Sequence, residues 1–116
     1  MELLSISHNR INSLANIAGC LPNLVVLDIS HNSLDSLENI SLMTKLRILQ
    51  ASNNRIVDLS HFRKFKDSGN LKELDLSSNH LMDVNSLRDL KGQVKLELLN
   101  LRANSLEKEK NFSRKA

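Results

Sequence analysis

Five asparagines recur along the chain at nearly constant intervals, and apolar residues keep the same spacing around each of them. The asparagines are Asn9, Asn32, Asn54, Asn79 and Asn104, separated by 23, 22, 25 and 25 residues. Branched aliphatic residues stand eight, five and three positions before each asparagine and two positions after it, with Met1 and Ala51 as the exceptions. A repeat of this length favours a chain of stacked coils, each of which buries its apolar edge against the next.

Written as L-x-x-L-x-L-x-x-N-x-L, the spacing resembles the signature of the leucine-rich repeat family. The short repeats are similar to those of the subclass typified by a nuclear regulatory subunit of protein phosphatase. The resemblance implies an α/β fold, a leucine-rich repeat solenoid of about five coils with a concave parallel β-sheet and convex loops or short helices. We predict a repeat domain over residues 1–106, with coils centred on the five asparagines, and a charged, disordered tail over 107–116.

An amphipathic helical bundle is the alternative, because apolar residues three apart also suit a helix. A bundle does not explain asparagines held in register, whereas the alternation at residues 27–30 and 74–77 favours short strands. Each asparagine is expected to end its strand and turn inward, where its amide can pair backbone groups of its own and the neighbouring coil. We therefore predict an asparagine ladder.

The two longer repeats place their extra residues on the convex side, within segments 59–71 and 85–94. We predict short helical turns in both, with Phe62 and Phe65 as a local anchor and Ser86 with Asp89 as a capping-box pattern. The one cysteine, Cys20, is interpreted as a small buried hydrophobe.

The resemblance implies that the outward residues of the concave strands bind another protein. The outward positions six before the asparagines are mostly apolar, those four before are polar or acidic, and those two before are mostly serine. Contiguous exposed apolar residues are typical of a binding surface, and an extended peptide or a partner helix would bury them. The predicted partner-binding residues are Leu3, Val26, Asp28, Ile48, Gln50, Glu73, Asp75, Leu98, Asn100 and Arg102. Reversing Asp28 and Asp75 to lysine is expected to abolish partner capture without loss of stability.

Net charge is +3, with the second half of the chain more basic than the first. Both signs are interleaved and aromatics are only 3% of residues, so a solvated surface is favoured over a nucleic-acid interface. No apolar run approaches the ~18 residues of a membrane span. With a single cysteine and no leader pattern, we expect a cytoplasmic location, with the nucleus or a cytoskeletal or ciliary structure as alternatives.

Neither a metal site nor an enzyme is predicted, and no cofactor is expected. His8 and His31 occupy the same repeat position, but a zinc site needs three or four ligands and none follows in register. The serines near Asp28 and Asp75 lack a glycine-rich nucleophile turn and oxyanion donors.

The predicted function is a protein-protein interaction module that acts as an adaptor, targeting or regulatory subunit, monomeric or part of a longer chain. The alternative is a structural spacer of a larger cytoskeletal or ciliary protein, with its concave face covered in cis.

Overall fold

Five short parallel strands form one sheet. The computed structural model describes residues 3–65 and 69–105, and its strands are β1 (Leu3–Ser5), β2 (Val26–Asp28), β3 (Ile48–Gln50), β4 (Glu73–Asp75) and β5 (Leu98–Asn100). The strands lie side by side in chain order and neighbours are parallel, so the chain completes one coil between each strand and the next. The predicted α/β solenoid is thereby confirmed, while the tail predicted over 107–116 falls outside the described residues.

The sheet pairs the same repeat position in every coil. The middle residues of the strands are leucines that stand opposite one another: Leu4, Leu27, Leu49, Leu74 and Leu99. Because side chains alternate along a strand, these leucines face the core and the flanking residues face out. The three central leucines are fully buried, whereas Leu4 is half-buried and Leu99 is 39% exposed. Within the described residues, β1 and β5 each have one neighbouring strand, which explains this difference.

The core is one cluster that runs through the stacked coils. Its members are almost all aliphatic, and Phe62 is the largest fully buried side chain in it. Phe62 therefore packs in the core, as expected of a local anchor. The side chain of Phe65 lies outside the described part of the structure.

Helical turns occupy the return halves of the coils. An α-helix, α1, spans Ala15–Cys20, and 3-10 helices span Ile40–Leu42, Ser60–Phe65 and Val84–Leu90. The last two lie in the longer repeats, where the sequence predicts helical turns. They are joined by an ion pair between Arg63 Nε and Asp89 Oδ1, 2.9 Å apart. Within residues 3–65 and 69–105, no helix has the length and apolar character needed to cross a bilayer.

Two local predictions on this convex side are wrong. The last 3-10 helix is capped by Asp83, whose Oδ1 accepts the backbone N–H of Asn85 at 2.9 Å, and not by Ser86. Cys20 is exposed, not buried. Ala18 and the N-cap residue Leu14 are both buried, are four apart and lie on the same side of α1. Cys20 follows Ala18 by two residues and lies on another face.

Candidate functional site

The repeat asparagines sit four residues beyond the end of each strand. Asn54 shows the arrangement in the central coil. Its Nδ2 donates to the carbonyl of Ile29 in the preceding coil at 3.1 Å and to Ala51 and Ser52 of its own coil at 3.1 and 3.2 Å. Its Oδ1 accepts the backbone N–H of Leu34 at 3.0 Å. The side chain is only 5% exposed and is the acceptor for the buried N–H of Leu34. It shares the Ile29 carbonyl with the amide of Asn32 and the Ala51 carbonyl with that of Asn79, so successive asparagines bridge the same backbone groups.

The same contacts recur at Asn32, Asn79 and Asn104. Each donates to one carbonyl of the preceding coil and to two of its own, and each accepts a backbone N–H from the preceding coil. In the first coil, the Nδ2 of Asn9 donates to the carbonyls of Ile6 and Ser7, and its backbone N–H donates to Asn32 Oδ1 in the next coil. The four buried amides, those of Asn32, Asn54, Asn79 and Asn104, are occupied by the backbone and are therefore not available to a ligand. Their role is to hold adjacent coils in register.

Outward side chains form three columns across the sheet, and we call these columns together the concave strip. Its first column comprises Leu3, Val26, Ile48, Glu73 and Leu98, which are Cα partners in succession. Leu3 is 66% and Leu98 55% exposed, while Val26 and Ile48 are half-buried. Glu73 interrupts the apolar surface between Ile48 and Leu98. The structure thus brings three apolar residues together, with Leu98 on the far side of a carboxylate.

The second column is polar, and its side chains stabilise the turns that follow the strands. It comprises Ser5, Asp28, Gln50, Asp75 and Asn100. Asp28 Oδ1 accepts the backbone N–H of Ser30 at 3.0 Å, and Asp75 Oδ1 accepts that of Ser77 at 2.9 Å. Asn100 Oδ1 makes the equivalent contact with Arg102 at 3.0 Å, so an amide serves this turn as well as a carboxylate does. Replacing these aspartates by lysine removes the acceptor. The expectation that charge reversal leaves stability unchanged therefore does not fit the structure.

The same type of turn lies outside the strip at Asp58. Its Oδ1 accepts the backbone N–H of Ser60 at 3.0 Å and the Ser60 hydroxyl at 2.9 Å. These hydrogen bonds, the backbone one first, lower the pKa of the Asp58 carboxyl below its ordinary value. A lowered folded-state pKa means that the turn stabilises the fold at neutral pH and that this contribution is lost as the pH falls through the lowered value.

The third column consists of Ser7, Ser30, Ser52, Ser77 and Arg102, two positions before the asparagines. Arg102 is exposed, whereas Ser30 is only 8% exposed. The Ser77 hydroxyl donates directly to Asp75 Oδ1 at 2.7 Å. A nucleophilic serine is activated by an adjacent general base such as histidine. The contact between Ser77 and Asp75 therefore stabilises the turn and does not indicate a catalytic serine.

The residue before each asparagine has a left-handed backbone. His8, His31, Asn53, Ser78 and Ala103 have φ values between 54° and 62°. Histidine and asparagine adopt this conformation more often than most residues do. This preference explains the two histidines at this position by backbone conformation. Their rings stack at 4.3 Å between centroids, and His31 Nε2 lies 3.5 Å from Asn53 Nδ2. Among the described residues, no group of three histidine, cysteine or carboxylate side chains could hold a metal ion.

A groove that the sequence analysis did not identify lies beside the concave strip, at the amino ends of the strands. Its volume is about 550 Å³, and it is lined by Val25, Asn70 and four cations, Lys45, Arg47, Lys72 and Lys95. We call the four cations the basic rim. Arg47 and Lys72 each stand seven residues before an asparagine, and Lys45 and Lys95 each stand nine before one. That shared register is the signal in the sequence that could have revealed the groove.

Comparisons with known proteins agree with this architecture. A family model described as leucine-rich repeat matches residues 2–115. None of the curated proteins matches the chain. Among solved structures, a chain of the SNF/U2A′ complex of Drosophila melanogaster is similar, with a TM-score of 0.84, 27% identity and coverage of 97% of this chain and 64% of that one. An internalin (inlF) of Listeria monocytogenes is similar with a TM-score of 0.76, 28% identity and coverage of 90% and 28%. The chain thus spans less than two thirds of the length of either structure.

Proposed function

The chain belongs to the leucine-rich repeat family, and from this membership we propose that it captures a partner polypeptide on the concave strip, as an adaptor, targeting or regulatory subunit. Repeat arrays of this kind use their extended concave surface for binding. The similar Drosophila structure is the SNF/U2A′ complex, which supports the proposal that the partner of this chain is also a protein.

One observation carries the proposal. Leu3, Val26 and Ile48 lie on adjacent strands in register, and all three side chains face outward from the sheet. Isolated surface leucines need no explanation, but contiguous apolar side chains rimmed by polar columns mark interaction sites. The polar column of Asp28, Gln50 and Asp75 runs alongside and supplies hydrogen-bonding specificity.

The spacing of the strip favours a helix as the bound segment. Neighbouring strands are about 4.8 Å apart, so the strip offers one side chain of the first column every ~4.8 Å across a width of roughly 20 Å. A helix presents one side chain per turn on a given face, every ~5.4 Å. An extended peptide repeats its face every ~6.7 Å, which matches less well. A helix of about four turns would cover the strip.

The free carboxylate oxygens of Asp28 and Asp75 favour a basic side chain on the partner. The double substitution Asp28→Asn/Asp75→Asn tests this, because Asn100 shows that an amide keeps the turn. We expect stability to be unchanged and the dissociation constant for the captured partner to rise about tenfold, with a weaker dependence on salt than wild type. The measurement is quantitative affinity capture with thermal denaturation alongside.

Gln50→Glu serves as the matched control, since it adds a charge to the same column. We expect it to leave capture intact or to strengthen it. Equal loss of capture in the control and in the double variant would contradict a basic contact. If the partner bound the double variant and the control as tightly as wild type, its basic side chain would not contact Asp28 or Asp75.

A further inference from the structure

The basic rim gathers four cations around one groove, and among the described residues none of the four forms an ion pair. In the ranges 3–65 and 69–105, the ion pair recorded joins Arg63 to Asp89, and the rim cations have no carboxylate within 4.0 Å. Lys45, Arg47 and Lys95 are exposed, and Lys72 is half-buried. Clustered like charges oppose folding through mutual repulsion. The mutual repulsion of these charges is a cost to the fold, which favours a binding role for the cluster.

Part of the rim is held in place before any ligand binds. Lys95 Nζ donates to Asn70 Oδ1 at 2.9 Å, and Asn70 Nδ2 donates to the carbonyl of Thr44 at 2.7 Å. This chain of contacts crosses three successive coils and fixes one ammonium group at the groove. Preorganised groups lose less conformational entropy on binding.

The groove is continuous with the concave strip. A second cavity of about 240 Å³ is lined by Val25, Arg47 and Lys72 of the groove and by Val26, Ile48 and Glu73 of the strip. A segment seated on Val26 and Ile48 therefore passes within reach of Arg47 and Lys72. The strip has carboxylates on its other flank, at Asp28 and Asp75.

We infer that the basic rim binds an acidic flank of the helix that occupies the concave strip, an inference that rests on the proposed function. The partner is then a helix whose apolar stripe lies between acidic residues on one side and basic residues on the other. This charge order fixes which way round the helix lies.

A nucleic acid fits the rim less well. The lining residues include no aromatic side chain on which a base could stack. Glu73 lines the adjoining cavity, and the backbone N–H of Glu97 bonds to the Lys72 carbonyl at 2.8 Å, which places two carboxylate-bearing residues next to the cations. These carboxylates interrupt the basic surface, so the cations form a short patch and not the continuous basic stripe that a nucleic-acid strand follows.

The test is a titration of the ¹⁵N-labelled protein, followed by NMR, with three probes: a short glutamate-rich peptide, the same peptide with glutamine in place of glutamate, and a single-stranded oligonucleotide. We expect the acidic peptide to shift the backbone amides of Lys45, Arg47, Lys72 and Lys95 while the neutral peptide does not. Arg47→Glu/Lys72→Glu should weaken acidic-peptide binding about tenfold. The control, Arg55→Glu/Arg88→Glu, makes the same charge change at exposed sites outside the groove and should leave binding in place.

Two results would overturn the inference. One is an acidic peptide that shifts no rim amide or binds both double variants equally. The other is an oligonucleotide that shifts the rim amides at lower concentration than the peptide does, which would assign the rim to nucleic acid. Because the probe carries no apolar side chain, its binding is independent of capture by the concave strip, so the two proposals fail separately.

Discussion

Asn54→Leu is expected to lower the free energy of unfolding by on the order of 1 to 3 kcal/mol. Leucine has nearly the same shape as asparagine but no amide. The buried N–H of Leu34 would then lose its side-chain acceptor. The carbonyls of Ile29 and Ala51 would each lose one of two amide donors, because Asn32 still donates to the first and Asn79 to the second. Leaving buried backbone groups unpaired costs more than a hydrogen bond contributes on average. Urea denaturation followed by circular dichroism measures the loss.

The neighbouring residue provides a matched control. Asn53→Gly removes the same amide from an exposed position and keeps the left-handed backbone, since glycine adopts φ near 57° without strain. We expect this variant to unfold within about 0.5 kcal/mol of wild type. If both variants lost the same stability, the fold would not depend on the inward asparagine, and the repeat would have been aligned on the wrong residue.

Ile48→Lys is expected to weaken partner capture at least about 100-fold, which corresponds to ~3 kcal/mol. Ile48 lies on the central strand, and its side chain faces outward beside Val26. A lysine there places a charge where the apolar face of the bound helix is expected to be buried, so the charge would be desolvated without a partner. Fluorescence anisotropy or calorimetry with the captured partner measures the change.

Val57→Lys is the control for this prediction. Val57 is also β-branched and is 51% exposed, but it lies three residues beyond Asn54 and outside the concave strip. We expect it to bind the partner as wild type does, and we expect both variants to fold. Equal loss of binding in the two variants would point to a general effect of added charge and not to a site on the strip.

The register of the sheet was predictable from the sequence because the fold repeats. Aligning the chain on Asn32, Asn54 and Asn79 also aligns the strands, so residues at equal distances from the asparagines become Cα partners. Each coil contacts its immediate neighbours, and a one-dimensional alignment therefore determines which residues meet. The three outward columns follow directly from this.

The local contacts of side chains were less predictable. Asp28 and Asp75 stand where an interface residue is expected, but their Oδ1 atoms stabilise turns, which depends on backbone geometry that spacing does not give. Cys20 lies on the exposed face of a short helix whose bounds the sequence did not show. The basic rim combines residues of different coils, and only the stacking of coils brings Lys45 and Lys95 to one groove.

Site-specific photocrosslinking tests the central claim most directly, namely that a partner protein binds the concave strip. A photoreactive benzophenone amino acid is placed at position 26 or 48 on the strip, or at the exposed positions of Val57 or Met82 outside it. Irradiation in cells, followed by mass spectrometry, identifies what each position touches. We predict that positions 26 and 48 crosslink to the same partner polypeptide and that positions 57 and 82 do not. Crosslinks to that partner from 57 and 82 alone would contradict binding on the concave face. Crosslinks from 26 and 48 only to other segments of the same polypeptide would show that the strip is covered in cis.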